Sequence, residues 1–161
     1  MRGDGLEEIY RRFSGEVYLY ALVLCKNPVV AEDLTSETFF RALLSLDADS
    51  AGLRYWLLRV CKNLFIDWYR KNRRRETLFT EEMRFGGDHP LDAVLKEESR
   101  KELYRALLKL SETDREMLVL YYFLNCNISQ IASQLGRTAG AVKTGLSRAR
   151  VRLKKQLEER P

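Results

Sequence analysis

The stretch NISQIASQLGRTAGAVKTGLSRARVRLKKQL, residues 127–157, decides the fold of the C-terminal part of this chain. Asn127 stands where a helix begins, and its side-chain oxygen can accept from a first-turn N–H that has no partner in the helix. Ile128, Ile131, Ala132 and Leu135 follow at helical spacing and mark one buried face. Gly136 sits where a helix closes on a left-handed residue, and Thr138 is placed to cap the next helix. Val142, Leu146, Ala149 and Leu153 form the apolar stripe of that second helix. Lys143, Thr144, Ser147, Arg148, Arg150, Arg152, Lys154 and Lys155 occupy its other side. A short helix, a tight turn and a long basic helix predict a helix-turn-helix, whose second helix can enter the DNA major groove. Many helical hairpins bind no nucleic acid, and a basic face can be merely solvated. Here the caps, the glycine turn and the one-sided positive face coincide, and that conjunction favours DNA.

Upstream, Ser111 is placed to cap the helix ETDREMLVLYYFL (112–124), with Asp114 three residues on. Met117, Leu118, Leu120, Tyr121 and Leu124 are its expected core positions. Residues 91–110 read as a further helix, apolar at Leu91, Val94, Leu95, Leu103, Ala106, Leu107 and Leu110. Residues 76–90 are polar, contain Gly86-Gly87 and His89-Pro90, and keep no helical period, so they read as a flexible linker.

The first 75 residues read as a second helical domain. Leu6, Ile9, Tyr10, Phe13, Val17, Tyr20, Ala21 and Leu24 recur at threes and fours, an amphipathic helix that Asn27-Pro28 ends. VVAEDLTSETFFRALLSL (29–46) is the next helix, with Leu34, Phe39, Ala42 and Leu43 inward. Asp33, Glu37 and Arg41 line its outer face beside Glu32 and Ser36. From spacing alone this acidic stripe is an ordinary wet face, with Glu37 and Arg41 pairing at i,i+4. After a polar loop, LRYWLLRVCKNLFIDWYRKNRRR (53–75) is a third helix with a core stripe at Leu53, Leu57, Val60, Leu64 and Trp68. Arg59, Lys62, Asn63, Tyr69, Arg70 and Arg73 spread over the rest of its surface. Basic groups interleaved with aromatics and an amide suit an exposed single strand, whose bases stack and hydrogen-bond. Trp56 and Trp68 are read as core packing, and the arginine-rich end as a nucleic-acid contact.

The whole chain supports this organisation. Its 161 residues are 45% hydrophobic and carry a net charge of +5, which suits one or two globular domains. The charge is not spread evenly. Residues 54–75 hold eight basic groups and one acidic, and residues 138–161 hold seven and two; residues 1–53 and 76–100 are each net acidic. Two basic blocks point to two contacts with one long polyanion. No apolar run is long enough to span a membrane and the N-terminus has no signal-peptide core, so the expectation is a soluble, cytoplasmic protein that is not membrane-embedded. Cys25, Cys61 and Cys126 are far apart and lack zinc-ligand spacing, which fits buried free thiols in a reducing compartment. No metal, cofactor or small-molecule substrate is expected. An enzyme acting on nucleic acid would need a base, a nucleophile or metal ligands held together, and the chain offers one histidine, in the linker.

Several stretches together resemble bacterial sigma factors of the small extracytoplasmic-function (ECF) group. AEDLTSETFFRAL (31–43) is similar to the most recognisable motif of that family's first domain, and YWLLRVCKNLFIDWYRKNRRR (55–75) to the helix that follows it. LKLSETDREMLVLYYFLNCNISQIASQLGRTAGAVKTGLSRARVRLKKQL (108–157) resembles its second domain nearly end to end. The resemblance implies an all-α chain of two small helical domains, region 2 over 1–75 and region 4 over 91–161, joined by a linker over 76–90. It implies a subunit that binds core RNA polymerase and directs it to promoter DNA, with an anti-sigma factor as a further partner. The acidic face of Asp33, Glu37 and Arg41 would dock on the coiled coil of the largest polymerase subunit, which reverses the wet-face reading. The loop 47–53 and the next helix would read the minus-ten element as a single strand, through Arg59, Lys62, Asn63, Tyr69, Arg70 and Arg73. Asn63 is the candidate base-pocket residue, because it can both donate and accept. Thr138, Lys143, Thr144, Ser147 and Arg148 would meet the minus-thirty-five element as duplex. Three departures accompany the resemblance. Gly145 stands where the family often has arginine and is read as lying on the DNA side, at a cost of about 1 kcal/mol of helix propensity against alanine. Ala141 replaces a common threonine, and Ser129 and Gln130 replace a usual acidic pair. The competing reading is a stand-alone helix-turn-helix regulator, for which the helices over 29–75 have no use.

Overall fold

The computed structural model describes residues 2–45, 52–72 and 98–158, and every regular element among them is helical. The chain divides into two compact units, Met1–Val94 and Leu95–Pro161. The expected linker over 76–90, with His89, lies outside the described residues, as do Arg73 and most of the loop 47–53.

The N-terminal unit is three mutually packed helices: α1 (Arg2–Cys25), α2 (Pro28–Ser45) and α3 (Leu53–Asn72). The second half of α1 is buried on every side, from Val17 to Val23. A one-sided stripe was expected, but α1 has both other helices against it, and a helix enclosed by two partners is apolar all round. Its first half is wetter. Tyr10, expected inside, is exposed and makes an edge-to-face contact with Phe39, ring centroids 4.9 Å apart.

Lys26 takes a left-handed conformation, φ 57°, and stops α1. Asn27 then starts α2: its Oδ1 accepts from the backbone N–H groups of Val29 (2.9 Å) and Val30 (3.2 Å), with Pro28 in the first helical position. Leu34, Phe39 and Ala42 are buried as expected, but Leu43 is exposed. Thr35 and Thr38 take up buried positions instead, each donating its hydroxyl to the carbonyl one turn back, of Ala31 and Leu34 respectively, at 2.7 Å. On α3 the buried positions are Leu53, Leu57, Leu58 and Cys61; Val60, Leu64, Trp56 and Trp68 are half-buried. Arg54 ties α3 to α1 through a forked contact with Glu16, at 2.7 and 3.4 Å.

The C-terminal unit holds α4 (Glu98–Leu108), α5 (Glu112–Leu118), α6 (Ile128–Leu135) and α7 (Ala139–Glu158), with α7 packed on the other three. Ser111 caps α5 by accepting from the N–H of Asp114 at 3.3 Å. The chain does not continue as an α-helix to Leu124. It widens into a π-turn over Val119–Phe123, closed by the Leu124 N–H on the Val119 carbonyl at 3.1 Å. The wider turn shifts the helical phase, so Tyr121, expected in the core, is exposed together with Tyr122. Asn127 and Gln130 cap α6 reciprocally, at 2.8 and 2.9 Å, and Gly136 ends it at φ 64°. Thr138 accepts from the N–H of Ala141 at 3.1 Å and opens α7. Ile131, Val142, Leu146 and Ala149 join Tyr104, Leu107, Leu110, Met117, Leu118 and Leu120 in the core.

Candidate nucleic-acid interface

Packing sets the orientation of α7. With Val142, Leu146 and Ala149 buried, Lys143, Thr144, Ser147 and Arg148 are driven to the opposite side and are all exposed, as is Thr138 at the helix start. Arg137, in the turn, is exposed beside them. The face is not uniform. Arg152 donates to Asp114 Oδ2 at 2.8 Å, and Arg150 Nε donates to the Tyr122 hydroxyl, so two of the eight polar side chains are held by their own unit. Their partners are 38 and 28 residues away in sequence, and helical spacing carries no sign of them. Gly145, expected on the same side as Lys143, Thr144, Ser147 and Arg148, does not share their exposed face: a side chain there would begin inside Met117. Three residues after Val142 and four before Ala149, it belongs to the packed flank of α7.

On α3, Arg59, Asn63, Tyr69 and Arg70 are exposed, and Lys62 is half-buried. Spacings of three and four put Arg59, Lys62, Asn63, Tyr69 and Arg70 along adjoining strips of one surface. Arg59 Nη1 donates to the Tyr55 hydroxyl at 3.1 Å, and Phe65 lies 5.9 Å from Tyr69 and 6.2 Å from Trp68, centroid to centroid. The exposed carboxylate of Asp67 stands one turn after Asn63. Leu53, the end of the loop expected to read DNA, is buried in the core.

The outer face of α2 presents Glu32, Asp33, Ser36 and Glu37, all exposed, with Arg41 Nε 3.3 Å from Glu37 Oε1. Phe40, Leu43 and Leu44 are exposed on the same helix, so the acidic strip runs into an apolar one. All three cysteines are free and buried, as their spacing implied. Among the described residues no group of three or more His, Cys, Asp or Glu stands together to hold a metal ion, and no helix is long and apolar enough to cross a membrane.

The model for Sigma-70 region 2 matches residues 9–75, and that for Sigma-70, region 4 matches residues 100–153. The chain is 30% identical over 151 residues to the ECF RNA polymerase sigma factor SigM of Bacillus subtilis, covering 92% of this chain and 93% of that one. The chain belongs to the ECF sigma factors. It is likewise 30% identical over 162 residues to the RNA polymerase sigma factor YlaC of the same organism, covering 96% of this chain and 92% of YlaC. The fold of this sigma factor is that of RpoE, solved in complex with the anti-sigma factor NepR from Bartonella quintana (TM-score 0.74, 23% identity, 96% of this chain and 98% of that one). A structure of CnrH in complex with the cytosolic domain of CnrY has a TM-score of 0.65 at 22% identity, covering 99% of this chain and 91% of that one. The region 2 match takes in the acidic α2 face and the basic α3 surface, and the region 4 match takes in α7 as far as Leu153.

Proposed function

We propose that this sigma factor docks on core RNA polymerase through the outer face of α2 and reads its promoter with two separate surfaces. The exposed side of α7, Thr138, Lys143, Thr144, Ser147 and Arg148, meets the minus-thirty-five element as duplex, where hydroxyl, ammonium and guanidinium groups suit base edges and phosphates. The surface of α3, Arg59, Lys62, Asn63, Tyr69 and Arg70, takes the minus-ten element as a single strand. Asn63 offers a donor and an acceptor to an extruded base, and the tyrosine and arginines stack and neutralise phosphate. Asp33 and Glu37, with the apolar Phe40, Leu43 and Leu44 beside them, form a mixed surface of the kind that a polymerase partner would cover.

The observation that carries this reading is the presence, in one chain with both sigma regions, of an outward polar recognition-helix face and a separate outward basic-aromatic helix. A stand-alone regulator would use the first and leave the second without work. The chain acts as a binding subunit and lends no catalytic group; the chemistry belongs to the polymerase. It works in the cytoplasm, where core polymerase and genomic DNA are found. RpoE and CnrH were solved with NepR and CnrY, and an anti-sigma protein is proposed as a partner here too.

The test is run-off transcription with purified core polymerase on a promoter library, with and without this chain. Initiation at a defined set of promoters, dependent on the chain, is expected. Unchanged start sites overturn the reading.

A further inference from the structure

Arg150 and Arg152 are two positions apart on α7, and their partners differ in charge. Arg152 is paired with the buried carboxylate of Asp114 at 2.8 Å, so its charge is balanced within the unit. The partners of Arg150 are neutral. Its Nε donates to the Tyr122 hydroxyl, and its guanidinium carbon lies 5.6 Å from the centroid of Tyr122 and 6.0 Å from that of Tyr121. The two rings meet edge to face, 4.9 Å between centroids, and both are exposed. Aromatic faces hold a cation without cancelling its charge. The Nε contact leaves the two terminal amino groups of the fork for an outside acceptor. Arg150 is also seven residues after Lys143 and three after Ser147, on the same side of α7 as the residues proposed to read duplex DNA.

We propose that Arg150, held by Tyr121 and Tyr122, is a pre-formed contact for a DNA backbone phosphate, whereas Arg152 is an internal brace that contributes no charge to DNA. The guanidinium is already fixed before DNA arrives, so less side-chain freedom is lost when the phosphate binds. This rests on the reading of α7 as the duplex-facing helix. The π-turn supplies the support, because it turns both tyrosines outward to where Arg150 emerges.

The full-length chain is titrated against a short mixed-sequence DNA duplex over a range of salt concentrations. Arg150→Ala should lower the slope of log K against log salt by about one, the signature of one lost phosphate contact. Arg150→Lys keeps the charge and should keep the slope. Tyr122→Phe should keep the slope and weaken binding by roughly three- to tenfold, the scale of the side-chain freedom that an unheld guanidinium must give up on binding. Arg152→Ala should leave the slope unchanged while lowering the unfolding midpoint. A wild-type slope in Arg150→Ala, or a reduced slope in Arg152→Ala, overturns the proposal. Lys143→Ala separates the two levels. If it lowers the slope and Arg150→Ala does not, the phosphate assignment alone falls. If neither lowers it, the reading of α7 as the DNA face falls as well.

Discussion

The end of the Met117 side chain lies against the backbone of Gly145: a Cβ at position 145 would stand 2.7 Å from Met117 Cε and 2.9 Å from Sδ. The atoms met are the far end of a flexible side chain, but Met117 is buried between packed helices, so it yields only by taking another rotamer against its neighbours. Two effects compete in Gly145→Ala. Helix propensity favours alanine by about 1 kcal/mol, and overpacking opposes it by about 1–3 kcal/mol. The expected outcome in urea unfolding is a net loss of about 1 kcal/mol. In a Met117→Ala background, itself destabilised by about 2–5 kcal/mol, the same change should become stabilising. A stabilised Gly145→Ala single variant would mean that the methionine yields freely and the contact constrains nothing.

The caps were legible because capping is local. Asn127, Gly136, Thr138 and Ser111 each do what their residue type does beside a helical run. The buried stripe of α7 was legible for the same reason, and with it the identity of the exposed face. What was hidden depends on distant partners. Gly145 reads as a gap in a basic face until Met117 is seen against it. Arg115 is buried and donates to the Leu110 carbonyl at 3.0 Å, against the ordinary behaviour of arginine. Its burial lowers its proton affinity, opposed by the nearby Glu112, Tyr104 and Glu116. The π-turn has no residue signature, so the phase shift at Tyr121 could not be counted in advance. A signal was available for α1, in the uncharged run VYLYALVLC (17–25), which suits burial on all sides better than on one.

The acidic face of α2 can be reversed at little structural cost. Asp33 and Glu37 are exposed, and the Glu37–Arg41 pair is a surface bridge, worth about 0–1 kcal/mol. Asp33→Arg combined with Glu37→Arg should therefore leave the circular dichroism spectrum intact and shift the melting temperature by only a few degrees. Co-purification with core polymerase should fall to background. Undiminished retention of core polymerase by the folded double variant would remove α2 as the docking surface.

On the proposed reading, Asn63 should separate two steps of initiation. It is exposed on α3, in the unit that does not contain α7, so its loss should not touch recognition of the upstream element. Asn63→Ala should slow open-complex formation by roughly tenfold, the scale of one or two lost hydrogen bonds at about 1 kcal/mol each. Permanganate footprinting of unpaired thymines reads that step. Binding of the variant holoenzyme to a duplex carrying the minus-thirty-five element alone should be unchanged, and equal losses in both assays would count against a base pocket at Asn63.

Alkali should weaken the N-terminal unit through a buried thiol. Burial pushes Cys25 from the ordinary 9.0 up to about 11. The folded state therefore keeps a proton that the unfolded chain has already released between those values. The resulting stabilisation is complete below pH 9 and is lost as pH rises through 11, with an upper size of about 3 kcal/mol at 1.36 kcal/mol per unit. Buried Tyr18 acts in the same direction at still higher pH, its phenol raised first by burial and then by the charge of Glu32. Cys25→Ala removes the thiol and leaves Tyr18 in place. At pH 8 the variant should be less stable than the parent, having lost a buried side chain. That difference should shrink steadily as the pH approaches 11, because the parent then loses what the thiol supplied. Urea midpoints for both proteins from pH 8 to 11 measure it, and two curves that stay parallel would show that the alkaline loss comes from groups other than Cys25.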